Sequence, residues 1–545
     1  MATSDSDCRF SLTEVASGRK FFVRDATGLT RSLTGGDALI GNMVGMGIGY
    51  LFVYGFFSEL LFPGVNLPIT ALFAAVPGLI ISAVYYLLTV SMPRTGGDFV
   101  WVSRVLHPSI GFLANFVVTF SIISYMATDA IWTVTYGLSP MFDALAVINP
   151  NSGWASLATA LSQPFTTFVL GCVLLLIFTL PLFFGTKTTF RILWLMFGIS
   201  ILGTIVLIGA FYATPNSVFI ANFNQLSGMD YMKTIATAGV PSGFTLAMTL
   251  TGSIYTVSTY IGFNFSSYYS GEVKQVSRSQ IIAMIGSVMV FTLFTFIIYG
   301  SVYSSVSADF LTAISSLSGT GNSYYTLPTA PILNFLVVFA VPNPMVVVLA
   351  NLGLIISSVG SITAFSFIAV RNIFAWSFDR IMPSWFANID SRRGAPYVAI
   401  LVTLIINLIM AYLYVYTAFF SFLLYILINF FIVFAIVSVT AIVFPIRRKD
   451  IFDSSPAVVK KRIGGVPLIT IFGIGGLIIS IFLAYSSILP AITPPPSGSA
   501  LIQAISYAFV PLTLILSLLI YGVALFYRKQ HGIDMSIAFK ELPPE

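Results

Sequence analysis

Charged and redox-active side chains are scarce in this sequence. Lys, Arg, Asp and Glu make up 8% of its 545 residues, whereas soluble domains carry about 25% charged residues. Only two cysteines, Cys8 and Cys172, and two histidines, His107 and His531, are present. They are too few and too far apart for a disulfide framework, a Cys-rich metal site, a haem or a catalytic histidine pair. The sequence therefore predicts no enzyme, no cofactor and no metal site built from these residues.

Long apolar stretches dominate the sequence instead. Hydrophobic residues make up 57% of the chain, and a helix that crosses a bilayer needs about 20 apolar residues. We number twelve such stretches as spans 1 to 12: 36–58, 67–92, 109–136, 164–184, 189–214, 242–270, 280–304, 343–370, 397–416, 418–444, 466–488 and 500–527. The sequence therefore predicts an all-α membrane protein with 12 transmembrane helices.

The basic residues fall almost entirely into alternate gaps between these spans. Five precede span 1, two follow each of spans 2, 4 and 6, four follow span 8, six follow span 10 and three follow span 12, so that only Lys233 departs from the pattern. Because Lys and Arg near span ends stay on the cytoplasmic side, segments 1–35 and 528–545 are predicted to be cytoplasmic tails of a plasma-membrane protein. No apolar signal-peptide segment is seen in the first 34 residues.

The net charge of +6 does not require a nucleic-acid partner. These cations lie where anionic lipid of the inner leaflet would be, so we expect membrane lipid as a partner and no nucleic acid. Two gaps on the opposite side, 141–163 and 305–342, are polar and carry no cation. The second is long enough to fold over the mouth of a cavity, and the alternative is a solvated linker.

Span 1 contains a cluster of glycines near the middle of the membrane. Gly45, Gly47 and Gly49 alternate with apolar residues, so the backbone can leave the helix there. Freed N–H and C=O groups are tolerated in a membrane only where they face protein or a watery cavity. The cluster therefore indicates a binding site, and the alternative is close packing through the Gly-x-x-x-Gly spacing of Gly41, Gly45 and Gly49.

Span 6 carries a second interruption of the same kind. The segment Thr259-Tyr260-Ile261-Gly262-Phe263-Asn264-Phe265 places a glycine and an amide inside an apolar run. Paired interruptions in corresponding positions of two halves indicate an inverted-repeat transporter with a midplane site. We therefore predict a five-plus-five inverted-repeat (LeuT-like) core with helices 1 and 6 unwound. Its repeats would be 36–214 and 242–444, and 466–527 would form two peripheral helices.

Several segments resemble the amino acid/polyamine/organocation permeases. The loop after helix 2 in that family is similar to Met92-Pro93-Arg94-Thr95-Gly96-Gly97-Asp98-Phe99-Val100. Its Asp-Arg-x-x-Pro and Gly-x-Pro segment after helix 8 resembles Asp379-Arg380-Ile381-Met382-Pro383 and Gly394-Ala395-Pro396. The unwound turn of helix 1 is similar to Val44-Gly45-Met46-Gly47-Ile48, and the Gly-Glu-x-Lys that closes helix 6 resembles Gly271-Glu272-Val273-Lys274.

This resemblance implies uptake or exchange of amino acids by alternating access, without chemical catalysis. By similarity, the turn from Val44 to Ile48 would hold the substrate carboxylate through the N–H groups of Gly45, Met46 and Gly47. Carbonyls around Tyr260, Ile261 and Gly262 would hold the ammonium group, and Phe263 would line or gate the pocket or only pack within it. Many relatives have an acidic residue where this chain has Asn264, which disfavours a cationic substrate. The alternatives are a permease-like amino acid sensor, a polyamine or organocation transporter, and an ion channel.

Three residues are candidates for coupling transport to an ion. Asp129 is the most isolated carboxylate of the spans, and a charge there indicates function by default. It is a proton site, an ammonium contact or a carboxylate close to outer water. Ser357 and Ser358 could bind sodium together with helix 1 carbonyls, or could close a helix contact. Sodium coupling, proton coupling and uncoupled exchange therefore remain as alternatives.

Overall fold

The computed structural model describes residues 31–240, 243–389, 395–417, 423–492 and 500–532, together with Met535 and Phe539. In this part of the chain eleven helices are long and apolar enough to cross a membrane. They correspond to eleven of the twelve spans. Span 6 is the other one, and its helix ends after 14 residues. The prediction of an all-α membrane protein is confirmed.

We number the membrane helices 1 to 12 in chain order. Helix 1 has two parts, 1a (Gly35–Met46) and 1b (Leu51–Leu61), and helix 6a is Leu246–Thr259. The others are helix 2 (Leu67–Ser91), helix 3 (Pro108–Ile148), helix 4 (Pro164–Phe184), helix 5 (Thr186–Ala213), helix 7 (Val276–Val306), helix 8 (Pro344–Phe378), helix 9 (Tyr397–Tyr416), helix 10 (Leu423–Arg447), helix 11 (Leu468–Ile492) and helix 12 (Ala500–Gln530).

Shorter elements connect these helices. Helices fill many of the gaps: Asp98–Val105, Trp154–Leu161, Asn216–Ser227, Tyr231–Ala238, Ala308–Gly319, Leu333–Ala340, Ser384–Ala387, Lys449–Ser454 and Ala457–Lys460. Strands Arg462–Ile463 and Val466–Pro467 pair as a small antiparallel hairpin before helix 11. The gap 305–342 thus contains two helices, and Thr312 of the first donates a hydrogen bond to the Glu59 carboxylate of helix 1b. It is therefore a packed connection and not a solvated linker.

Helix 3 is longer than the sequence predicted. It runs through Ile148, although span 3 was expected to end at 136. Pro140 has no N–H to donate to the carbonyl of Tyr136, and the helix widens to π geometry over Thr133–Leu138. The freed Tyr136 carbonyl accepts a hydrogen bond of 2.9 Å from Asn334 Nδ2. A distant amide therefore allows the helix to continue past the proline.

The cationic segments that were predicted to share one face do meet at one end of the bundle, which we call the basic end. Arg104 pairs with Asp379 at 2.7 Å, Arg447 donates to the carbonyl of Leu106, and Arg528 donates to the carbonyl of Arg380. The opposite end, which we call the neutral end, includes Lys233, whose Nζ lies 5.1 Å from the centre of the Tyr324 ring.

Arg371 corrects one sequence expectation. It was assigned to the gap after span 8, but helix 8 continues to Phe378, so that Arg371 lies inside the helix and is 3% exposed. Its Nε lies 2.6 Å from Glu272 Oε1, and Thr186 Oγ1 donates to Glu272 Oε2 at 2.9 Å. The charge is tolerated because it is paired and hydrogen-bonded.

Candidate functional site

Helix 1 is interrupted near its middle by Gly47. This residue has a φ of 67°, the left-handed conformation that glycine adopts without a steric penalty and that often ends helices. The Gly47 amide donates to the Met43 carbonyl at 3.1 Å, and the Gly49 amide donates to Ser357 Oγ at 3.1 Å. In the described part of the chain the Ile48 amide has no hydrogen-bond acceptor. Gly45 and Met46 lie within helix 1a.

Helix 6 is interrupted at the segment that the sequence singled out. Helix 6a ends at Thr259, and Gly262 has a φ of 133°. The chain continues as two short 3-10 turns, Phe265–Ser267 and Ser270–Glu272. The amides of the break donate to the carbonyls of Val257, Ser258 and Tyr260. Among the described residues no hydrogen bond reaches the carbonyls of Thr259 and Ile261.

The two interruptions lie against each other. A Cβ atom on Gly262 would lie 2.6 Å from the Met46 nitrogen, so only glycine allows this backbone approach. A Cβ atom on Gly45 would overlap the ring of Phe265. Asn42 of helix 1a joins the same region, because its Oδ1 accepts from the Ser266 amide at 2.7 Å and its Nδ2 donates to the Phe263 carbonyl. The side chain of Asn42 thus satisfies backbone groups that the break of helix 6 exposes.

A cavity lies beside the two breaks. Helices 1, 3, 6, 8 and 10 line it with Gly45, Met46, Tyr50, Tyr54, Tyr125, Thr128, Asp129, Trp132, Ser258, Thr259, Ile261, Phe365 and Phe430. Four of the residues singled out from the sequence are among them: Gly45, Met46, Asp129 and Ile261. The lining combines backbone of both breaks with aromatic rings and one carboxylate.

Asp129 is the acidic side chain of this lining. It is 2% exposed, and its Oδ2 atom has no hydrogen-bond partner in the part of the chain that the structure describes. The Tyr50 hydroxyl, also in the lining, is near the Asp129 carboxyl group but is likewise buried without a hydrogen-bond partner among those residues. Because buried polar atoms are nearly always hydrogen-bonded in proteins, these two atoms can bond to each other or to a ligand.

Other residues singled out from the sequence lie outside the lining. The Tyr260 hydroxyl donates to Thr292 Oγ1 at 3.0 Å. The Phe263 ring packs between Tyr85 and Phe434, with ring centres 6.2 and 5.7 Å away. Asn264 is buried, and its Nδ2 faces the Tyr268 hydroxyl at 3.5 Å. These side chains support the helix 6 break from behind.

The coupling candidates on helix 8 lie behind the helix 1 break. Ser357 Oγ accepts from the Gly49 amide, as described above, and the Val44 carbonyl accepts from Ser361 Oγ at 3.0 Å. Ser358 is buried, and its Oγ has no partner among the described residues. Helix 8 hydroxyls therefore bond to both sides of the helix 1 interruption.

Six aromatic lining residues were not singled out from the sequence: Tyr50, Tyr54, Tyr125, Trp132, Phe365 and Phe430. Two spacings could have indicated three of them. Tyr50 and Tyr54 are four residues apart on one face at the start of helix 1b, and Trp132 follows Asp129 by one helical turn. Aromatic residues make up 15% of the chain, however, and most of them pack in the core.

An aromatic cap covers the cavity on its neutral side. It consists of Tyr54, Phe57, Trp132, Tyr136 and Tyr255. The Phe57 ring lies 6.0 Å from Tyr255, 6.3 Å from Trp132 and 6.3 Å from Tyr136, measured between ring centres. Trp132 Nε1 also donates to the Tyr414 hydroxyl at 2.8 Å. The cap is thus a set of ring contacts with polar atoms at its edges.

A polar latch covers the cavity on its basic side. The Asp98 carboxylate accepts from Asn115 Nδ2 at 2.5 Å and from the Tyr268 hydroxyl at 2.8 Å, and Trp376 Nε1 donates to Asn115 Oδ1 at 2.7 Å. We include the pairs Arg371–Glu272 and Arg104–Asp379 in the latch. Burial raises the pKa of Asp98 to about 6, although the hydrogen bonds from Asn115 and Tyr268 act in the opposite direction. The latch joins helices 3, 6 and 8 to the loop after helix 2.

This architecture defines a class of protein: a multi-pass membrane protein in which two broken helices meet beside a cavity lined by backbone groups, aromatic rings and one carboxyl group. A family model described as amino acid permease matches residues 38–517. The chain belongs to that family, within the amino acid/polyamine/organocation superfamily, and is an amino acid transporter. The resemblance seen in the sequence is thereby confirmed. A comparison with curated proteins found no matching sequence.

Proposed function

We propose that this permease is a secondary transporter that moves amino acids across the plasma membrane by alternating access, as a symporter or an exchanger. The observation that carries the proposal is the meeting of both helix interruptions beside one cavity, because unpaired backbone groups of opposite polarity lie at the two breaks. A substrate that has both an ammonium and a carboxylate group matches such a pair.

The helix termini at the two breaks carry partial charges of opposite sign. The 3-10 turn Ile48–Tyr50, which leads directly into helix 1b, presents the unpaired Ile48 amide, and amides at a helix N-terminus carry partial positive charge. The end of helix 6a presents the Thr259 and Ile261 carbonyls, which carry partial negative charge. We assign the substrate carboxylate to the first group and its α-ammonium to the second. This moves the carboxylate contact from Gly45–Gly47 to the turn after Gly47.

The proposed motion relates the two repeats. Helices 1, 2, 6 and 7 would rock against helices 3, 4, 8 and 9, with 36–214 and 242–444 as inverted repeats. The alternation of cations supports a cytoplasmic basic end with both tails. Sodium at Ser357 and Ser358, a proton at Asp129, and exchange without an ion are the coupling modes to be distinguished.

Uptake into proteoliposomes tests the proposal. The purified protein is given a panel of radiolabelled amino acids under separately imposed sodium and proton gradients. We expect saturable uptake, and dependence on one gradient identifies the coupling ion. Flux that never saturates would favour a channel, and absence of uptake and binding for every amino acid would reject the function.

Substitution at the helix 1 break tests the site. Gly45→Leu would fill the space beside Phe265 and the helix 6 break, so we expect binding to be abolished. Gly209→Leu is the matched control, because no atom lies within 4 Å of a Cβ placed on that exposed glycine of helix 5. Retained uptake by well-folded Gly45→Leu protein would contradict the site assignment.

A further inference from the structure

The cavity contains a carboxyl group that no neighbouring cation faces. Among its described lining residues Asp129 is the acidic one, and no Lys, Arg or His is present. Both charges of an amino acid backbone are already matched by the helix termini at the two breaks. A zwitterion with an uncharged side chain would therefore leave Asp129 either ionised without a counter-charge, which is a costly state inside a membrane protein, or protonated, whereas a second cationic group would pair with the ionised carboxylate.

We infer that Asp129 is the counter-ion for a second cationic group on the substrate, so that the cavity takes dibasic amino acids whose side chain ends in an ammonium or guanidinium group. The inference rests on the proposed function, because it assumes that the helix breaks hold the carboxylate and the α-ammonium. Its own evidence is the unpartnered Oδ2 atom, which faces the cavity from helix 3.

The surroundings of Asp129 favour an organic cation. Trp132 lies one turn along helix 3, and the rings of Trp132 and Tyr50 are 6.3 Å apart between centres. Tyr54 and Tyr125 complete this part of the lining. Aromatic faces attract ammonium and guanidinium groups, which suits an organic cation beside the Asp129 carboxylate. The unpartnered Tyr50 hydroxyl can accept a hydrogen bond from the same group.

Asn264 does not oppose this assignment. Its neutral amide was expected to disfavour a cationic substrate, but Asn264 lies behind the helix 6 break and is not part of the described cavity lining. The charge of the cavity is therefore set by helix 3. The structure replaces one predicted selectivity position, Asn264 on helix 6, with another, Asp129.

The test compares two ligands that differ by one amino group. Binding of L-lysine and of L-norleucine, which lacks the terminal ammonium group, is measured on the purified full-length protein at pH 5.5 and pH 7.5. We expect the unsubstituted protein to prefer lysine by at least about tenfold. In Asp129→Asn the lysine affinity should fall by at least about thirtyfold, the usual lower range for truncating one partner of a buried charge pair. Norleucine affinity should be retained or improved.

Asp143→Asn is the matched control, because Asp143 is a carboxylate of the same helix outside the cavity lining, and both affinities should stay unchanged. A lysine affinity that is unaffected by Asp129→Asn would overturn the inference. So would norleucine binding that depends on pH and loses this dependence in Asp129→Asn, because Asp129 would then be a proton site. If Asp129→Asn does not fold, the preference of the unsubstituted protein decides, and equal affinities overturn the inference. If neither ligand nor any other amino acid of the panel binds, the proposed function itself fails.

Discussion

The aromatic cap and the polar latch close the same cavity with different chemistry. On the neutral side the contacts are between rings, as in the Phe57 and Tyr255 pair at 6.0 Å. On the basic side they are buried ion pairs and charge-assisted hydrogen bonds, such as Arg371 with Glu272 at 2.6 Å. Ring contacts are each worth about 0.5–1.5 kcal/mol beyond burial, and they can be lost one at a time.

An intact buried ion pair behaves differently. When the basic end opens, both charges regain water, so the net cost of separating them is modest. When one partner is removed, the other charge remains buried without compensation in the closed state. A single substitution that removes one charge of a pair should therefore open the basic end, whereas each substitution in the aromatic cap should weaken closure of the neutral end only slightly.

Two serines of helix 6 allow the ends to be compared directly. Ser253 precedes the break on the neutral side and Ser270 follows it on the basic side, and both are buried. In a background with Cys8→Ser and Cys172→Ser, the single substitutions Ser253→Cys and Ser270→Cys report opening through labelling by a hydrophilic maleimide. Each prediction about opening is then expressed as the ratio of maleimide labelling at the two introduced cysteines.

The largest effect is expected from Arg371→Met. This change leaves the Glu272 carboxylate buried beside Thr186 without its cation, and breaking a buried pair in this way costs about 3–5 kcal/mol. Because the cost applies to the closed state, labelling of Ser270→Cys should rise at least about tenfold and labelling of Ser253→Cys should not.

The double substitution Arg371→Met with Glu272→Gln is the control, because it removes both charges and should restore most of the closure. If the single and double substitutions label equally, the effect comes from lost packing of the arginine side chain, and the distinction between latch and cap fails at this pair.

A smaller effect is expected from pH, through Asp98. Burial raises the pKa of this carboxyl from 3.8 to about 6, so the folded latch favours the protonated form. The stabilisation is fully present below about pH 4 and is lost as pH rises through about 6. The apparent melting temperature of the unsubstituted protein should therefore fall from pH 5 to pH 7.5 relative to Asp98→Asn. A pKa difference of one unit between the folded and unfolded states corresponds to about 1.4 kcal/mol in the free energy of unfolding.

Asp450→Asn removes another carboxyl near the basic end and serves as the control. A hydrogen bond from Arg448 lowers the pKa of Asp450, so that this substitution should not reproduce the pH effect of Asp98→Asn. If the apparent melting temperatures of the unsubstituted protein and of Asp98→Asn change equally between pH 5 and pH 7.5, protonation of Asp98 does not affect the stability of the latch.

The helix breaks could be predicted from the sequence because the conformational freedom of the backbone depends on local residues such as glycine. The glycines of helix 1 and the segment around Gly262 predicted two interruptions, and both occur, at Gly47 and after Thr259. The alternation of cations likewise predicted which segments meet at the basic end. Lys and Arg are rare in this apolar sequence, so their positions stand out, and the glycine signal comes from the clustering of glycines within one span.

The residues that line the cavity could not be predicted from the sequence in this way. Tyr50 and Trp132 face the cavity only because helices 1b and 3 pack at a particular rotation, and their residue types do not distinguish them from the packed rings of the core. Likewise, the carbonyl that Pro140 leaves free in helix 3 accepts a hydrogen bond from Asn334. Contacts between residues almost 200 positions apart leave no local pattern.

The smallest effect is expected from Phe57→Leu in the aromatic cap. Phe57 lies outside the cavity lining and contacts Trp132, Tyr136 and Tyr255, so the change weakens ring contacts without touching the ligand. A loss of about 1 kcal/mol should raise labelling of Ser253→Cys several-fold and leave Ser270→Cys unchanged. Phe526→Leu on the exposed face of helix 12 is the control and should alter neither reporter. An equal rise at both reporters would show that cap and latch open together, and the two ends could then no longer be treated as separate closures.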